Sequence, residues 1–102
     1  MNYQVSYTQA AQRDLDALCH YLSDVASPEV AATIALKIMS AVESLTTFPY
    51  RHQRHHLSDV DRHVLPVSTW RIWYSITDDT VIIDRILHQR RDTAAEISAA
   101  MY

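Results

Sequence analysis

Arg62, Arg71, His88, Arg90 and Arg91, with the large aromatic Trp73 among them, are the residues of this chain whose types suit chemistry on an anion. A guanidinium fork grips phosphate or carboxylate with paired hydrogen bonds, and a histidine exchanges its proton near neutral pH. Arg71 with Arg90 or Arg91 are therefore candidates to hold a phosphate, and His88 is the candidate acid or base. The distribution of charge points to the same half of the chain. Residues 1–49 carry only Arg13 and Lys37 against five acids, whereas residues 50–102 carry seven arginines, seven acids and five of the six histidines. Any anion-facing surface belongs to the second half.

Other chemistries fit less well. His52, His55 and His56 would place two imidazoles on one helical face at i and i+4, but the run follows the helix-breaking Phe48-Pro49 and has no cysteine or carboxylate at ligand spacing. No metal site is expected there. The chain contains no glycine, which removes the glycine-rich loops that cradle nucleotide phosphates, so no cofactor is expected. Cys19 is the only cysteine, and its helical position reads as a small buried hydrophobe. Asp84 and Arg85 read as cross-strand ion-pair partners, worth at most about 1 kcal/mol each at a surface.

The candidates must be positioned by a hairpin over residues 70–92. Two β-branched and aromatic runs flank Thr77-Asp78-Asp79-Thr80, the length of a tight turn. A two-residue turn sets Ile76 opposite Val81, Tyr74 opposite Ile83, Ile72 opposite Arg85 and Trp70 opposite Leu87. The other face then carries Arg71, Trp73, Ser75, Ile82, Asp84, Ile86 and His88, placing Arg71 and His88 together. On that face Trp73 would leave apolar area exposed unless a C-terminal helix or a partner covers it.

The elements before the hairpin follow from periodicity. Tyr3, Val5 and Tyr7 alternate with polar residues as in a strand, and Ala11, Leu15, Leu18, Leu22 and Val25 form a helical stripe after the capping Thr8. Ser27-Pro28-Glu29 starts a second helix that runs to Thr47 and returns antiparallel to the first. Residues 50–56 read as a polar connection. Arg62–Val67 reads as a strand that Pro66 confines to an edge or a strand end. Thr93 and Glu96 form a capping box for a short C-terminal helix reaching about Ala100. The expected fold is α+β over a single domain, residues 1–102: an antiparallel sheet of about four strands, with a helical hairpin on one face, in the order β-α-α-β-β-β-α.

Composition narrows the function. Nine basic and twelve acidic residues give a net charge of −3, which argues against a protein that works by non-specific nucleic-acid binding. The sequence has neither an apolar run of spanning length nor a signal-peptide pattern, so a cytoplasmic protein with no membrane partner is expected.

One ordered set of residues resembles a known family. Leu45 through Pro49, the strand Arg62-His63-Val64-Leu65, the run Trp70-Arg71-Ile72-Trp73-Tyr74, the turn Asp78-Asp79 and the close His88-Gln89-Arg90-Arg91-Asp92 are similar to the RelE/ParE toxin superfamily. The resemblance implies a cytoplasmic toxin of a type II toxin–antitoxin system, neutralised by a cognate antitoxin that wraps its surface. ParE-like members poison DNA gyrase and are not nucleases; RelE-like members cleave mRNA in the ribosome. Arg71 matches the family's strand arginine, and Arg90 or Arg91 its later one. The lysines of RelE-like members correspond to about Arg62 and Val64, and no tyrosine follows Arg91 closely, Tyr102 being the only substitute. Ribonuclease chemistry of that type needs several cations on one phosphate and a proton-transfer group. The expectation is therefore a ParE-like gyrase inhibitor, with Arg62, Arg71, Trp73, His88, Arg90 and Arg91 as target or antitoxin contacts. The alternative is a RelE-like endoribonuclease acting on ribosome-bound mRNA, with Arg71, His88, Arg90 and Arg91 as its catalytic set. A third reading, of another class, is a non-toxic regulatory binding module with the same fold.

Overall fold

The computed structural model describes residues 2–57 and 60–91. β1 (Gln4–Tyr7) leads into helices α1 (Gln9–Val25) and α2 (Pro28–Glu43), then β2 (Gln53–Leu57), β3 (Val60–Val67), β4 (Trp70–Thr77) and β5 (Thr80–His88) follow, and a 3₁₀ turn spans Gln89–Arg91. The strands form one sheet in the order β1-β5-β4-β3-β2. The pair β1–β5 is parallel and the others are antiparallel.

The two helices start where side chains satisfy their first amide groups. The Thr8 hydroxyl accepts from Ala11 N–H at 3.0 Å and donates to the Asp84 carbonyl at 2.8 Å, tying the start of α1 to β5. Ser27 accepts from Val30 N–H at 3.1 Å, with Pro28 in the first turn of α2. The expected helical stripes then meet the sheet. Leu18, Ile38, Val42 and Leu45 pack with Leu65, Ile72, Tyr74, Val81, Ile83 and Ile86 in one core. Val64, Trp73 and Leu87 make a second, smaller cluster. There Trp73 is only 3% exposed, so its ring is not the open apolar surface that alternation suggested.

Two features of the sheet differ from expectation. The sheet has five strands, because Gln53–Leu57, which begins inside the expected polar connection of residues 50–56, pairs with Val60–Val64 as β2. Alternation was the wrong guide there, since Gln, Arg and His on an edge strand give little apolar signal. The first strand pairs in parallel, with Val5 beside Val81 and Tyr7 beside Ile83; the helical hairpin and the antiparallel strands β2, β3 and β4 intervene before β5 runs beside it in the same sense. Pro66 lies beyond the reach of β2, where β3 has a neighbour on one side only, so its missing N–H costs no ladder bond. The capping box at Thr93 and Glu96 lies outside the described residues.

The register of the hairpin holds near its turn and then shifts. Asp78, in the left-handed region at φ 54, closes the turn, and Ile76–Val81 and Tyr74–Ile83 are opposed as expected. Beyond them Trp73 pairs with Arg85, leaving Asp84 as an extra residue on β5. Ile72 consequently faces Ile86 instead of Arg85, and Trp70 faces His88 instead of Leu87. Plain alternation would have set the Arg85 charge against fully buried Ile72. The bulge substitutes an apolar partner and turns Arg85 toward α1.

Candidate functional site

The bulge decides which of the candidate residues meet. Because Trp70 and His88 are opposed, His88 lies on the helix side of the sheet, while Arg71, one residue further along β4, projects to the other side. The expected pairing of Arg71 with His88 on one face is therefore corrected: the two occupy opposite faces. His88 stands edge-on to Trp70, with ring centroids 5.1 Å apart. Its Nδ1 accepts the Arg90 backbone N–H at 3.1 Å. That bond leaves Nε2 as the protonated, donating nitrogen of the neutral ring. Arg90 is exposed at the same end. Arg91 closes the 3₁₀ turn beside it.

Arg62 and Arg85 are held by carboxylates. Arg62 Nη1 lies 2.6 Å from Asp84 Oδ2 across the sheet, both side chains being 12% exposed. This contact is an ion pair rather than an aligned hydrogen bond, since Asp84 Oδ2 has no partner of hydrogen-bond geometry. Arg85 forks onto Asp14 of α1, with Nε to Oδ2 at 2.7 Å and Nη2 to Oδ1 at 2.9 Å. The Ile86 amide adds a third bond to Oδ2 at 2.9 Å. Hydrogen bonding to Asp14 raises the Arg85 pKa further above its usual range, against the opposing effect of partial burial. Asp14 was not singled out in the sequence, because its role depends on the bulge that delivers Arg85 and Ile86 to it.

A cleft opens where α1 passes the far ends of β4 and β5. Asp14, Ala17, Leu18 and Tyr21 line one side; Trp70, Ile86, His88, Gln89 and Arg90 line the other, enclosing about 680 Å³. The sequence supplied His88 and Arg90 as candidates, placed Trp70 on the folding face, and did not reveal the helix that completes the cavity with them.

A second cluster sits at the opposite end. His63, 4% exposed, stacks on Tyr74 with centroids 5.3 Å apart, and its Nδ1 lies 3.1 Å from the His52 carbonyl, placed to donate to it. The Tyr74 hydroxyl donates to the Pro49 carbonyl at 2.6 Å, and burial raises its pKa. His52 stands edge-on to the same ring, its Nε2 buried without a hydrogen-bond partner. Burial lowers the His52 pKa, assisted by Arg51 and His63. Arg51 itself caps the chain after α2, donating to the Phe48 carbonyl at 2.9 Å and the Ser44 hydroxyl at 3.0 Å. These contacts pin residues 48–52 onto the sheet. Among the described residues there is no group of three or more histidine, cysteine or acidic side chains able to hold a metal, and no helix long and apolar enough to cross a membrane.

The fold is shared with chains solved in toxin–antitoxin systems. It matches a chain of the chromosomal ParDE system from P. aeruginosa with a TM-score of 0.74 and 18% identity, covering 84% of this chain and 95% of that one. It also matches a chain of the RelBE2 toxin–antitoxin complex from Mycobacterium tuberculosis with a TM-score of 0.58 and 26% identity, covering 86% of this chain and 99% of that one. Comparison with curated proteins gives no match. The family model for the ParE toxin of type II toxin–antitoxin systems, parDE, matches residues 5–93. The chain belongs to that ParE toxin family.

Proposed function

We propose that this protein is a toxin that acts on DNA gyrase without cleaving nucleic acid, and that a cognate antitoxin neutralises it. The observation that carries the non-nuclease reading is the disposition of the arginines. Arg62 and Arg85 are held by Asp84 and Asp14, and His88 lies across the sheet from Arg71. Phosphoryl transfer on RNA needs several cations and a proton-transfer group converging on one phosphate. Here the cations are dispersed, and Arg62 and Arg85 are paired with carboxylates. Membership of the ParE family supports the choice of gyrase. The ParDE and RelBE2 neighbours, both solved as toxin–antitoxin systems, support the antitoxin.

The RelBE2 likeness also sustains a second reading as a ribosome-dependent mRNA endonuclease, for which His88 offers a donating Nε2. Induced expression without a partner is expected to arrest growth, and co-expression of a short protein encoded beside this one is expected to restore it. Normal growth at confirmed soluble expression would contradict both toxin readings and leave the regulatory module.

A further inference from the structure

Resting on the reading of this chain as a gyrase inhibitor, we propose that Phe48 is the aromatic anchor by which it docks onto the target protein, its ring entering an apolar pocket whose rim carries a carboxylate for Arg51. Phe48 is the only phenylalanine of the chain. At 76% it is the most exposed large hydrophobic residue among those described, and its ring joins neither hydrophobic cluster. Its backbone lies in the left-handed region, at φ 50 and ψ 57, directly before Pro49. The other described residues with positive φ, Ser68 and Asp78, are short polar residues at hairpin turns. A bulky aromatic in that region is strained. Exposed apolar area and a strained backbone both count against stability, and the ring returns nothing to the core.

The conformation is nonetheless imposed from both sides. Before the corner, Tyr3 N–H donates to the Thr46 carbonyl at 2.8 Å; after it, the Tyr74 hydroxyl donates to the Pro49 carbonyl at 2.6 Å. Arg51 closes over the corner itself, donating to the carbonyls of Thr47, Phe48 and Ser44 and to the Ser44 hydroxyl. A residue held against its own preference and turned into solvent is prepared for a contact outside the chain, with its backbone ordered before binding. Strain that persists at the expense of stability is tied to activity, which in this chain is exerted on gyrase.

The charge beside the ring gives the sign of the partner. Arg51 donates to carbonyl and hydroxyl oxygens and makes no ion pair among the described residues. Tyr50, 61% exposed on the same 3₁₀ turn, adds a second aromatic. Aromatic rings beside an arginine are the make-up of the energetic centres of protein interfaces. A nucleic-acid backbone would call for a run of cations instead. A second copy of this chain offers no matching pocket: the acid of the α1 cleft, Asp14, has both oxygens committed, and the groove between α2 and Val67 is lined by no acid. The pocket therefore belongs to a different protein.

Phe48→Asn tests the assignment, because asparagine accepts the left-handed region while the ring is lost. Calorimetric titration of DNA-free gyrase with this protein, paired with the supercoiling assay, is expected to show the variant binding and inhibiting at least about tenfold more weakly, with a melting temperature no lower than that of the wild type. Wild-type binding is expected to weaken by about threefold or more between about 0.1 M and 0.5 M salt, as the Arg51 contact is screened. Undiminished inhibition by Phe48→Asn would overturn the anchor and leave the gyrase reading standing. Salt-independent binding would overturn the carboxylate on the rim. A loss of inhibition matched by a lowered melting temperature would make Phe48 a structural residue and overturn the proposal. Inhibition by the wild type without binding to DNA-free gyrase, together with binding to DNA alone that Phe48→Asn loses, would give the ring to base stacking and overturn it. Weaker binding of the co-encoded antitoxin by Phe48→Asn, with inhibition intact, would give the ring to the antitoxin and overturn it as well. A wild type that neither binds nor inhibits gyrase would overturn the proposal together with the reading on which it rests.

Discussion

The two halves of the β4–β5 hairpin obey different rules. Next to the Asp78-Asp79 turn, strict alternation puts Tyr74, Ile76, Val81 and Ile83 on the helix side, and pairing follows the turn. Past Asp84, one unpaired residue inverts the alternation of β5, bringing Ile86 and His88 to the helix side and Leu87 to the other. The near half builds core. The far half builds the cleft and separates His88 from Arg71, so a single bulged position decides which candidate residues can act together.

Substitutions that bury a charge test this comparison most severely. Ile83→Asp in the near half and Ile86→Asp in the far half are both expected to unfold the protein, since a buried unpaired carboxylate costs several kcal/mol against a total stability of about 5–15 kcal/mol. Arg71→Ala is expected to leave the fold intact. Thermal melts by circular dichroism distinguish the cases: a folded Ile86→Asp protein would mean that β5 continues past Asp84 without the inversion.

A smaller effect is expected where the bulge is anchored. Asp14→Ala removes the acceptor for the Arg85 fork and the Ile86 amide, for an expected loss of about 2–3 kcal/mol in chemical denaturation. A loss below about 0.5 kcal/mol, the scale of ordinary surface changes, would show that the bulge stands without its anchor.

The end of the sheet nearest the turn supplies the mildest test, through His52. Its pKa is lowered in the folded protein by burial, so the unfolded chain binds the proton more readily. Stability from the neutral ring is therefore complete above the unfolded value of about 6.5 and declines as pH falls below it. The melting temperature is expected to drop on acidification from neutral pH, with a shallower slope in His52→Asn. Identical slopes in the two proteins would remove His52 from the account.

How much of this was legible in the sequence depended on whether a signal was local. Thr8 and Ser27-Pro28 announced both helices because caps act within one turn. Val5, Tyr74 and Ile83 announced their strands because apolar alternation is a nearest-neighbour pattern. Ordinary periodicity carries no mark of a bulge, and Asp84 became the extra residue because Arg85 and Ile86 find Asp14, seventy-one and seventy-two positions away. Gln53–Leu57 was silent for a related reason: an edge strand of polar residues is held by backbone pairing, which side-chain pattern does not encode. Of the candidate residues, His88 and Arg90 converge beside Trp70, which the sequence placed on the folding face, Arg71 stands apart, and Arg62 is committed to Asp84.

The measurement that bears most directly on the central claim is a paired assay with purified protein, scoring DNA supercoiling by gyrase and the integrity of mRNA on translating ribosomes. Dispersed arginines and the separation of His88 from Arg71 predict inhibition of supercoiling with mRNA left intact, in the wild type and in His88→Ala alike. Ribosome-dependent mRNA cleavage that disappears in a folded His88→Ala protein would contradict the account.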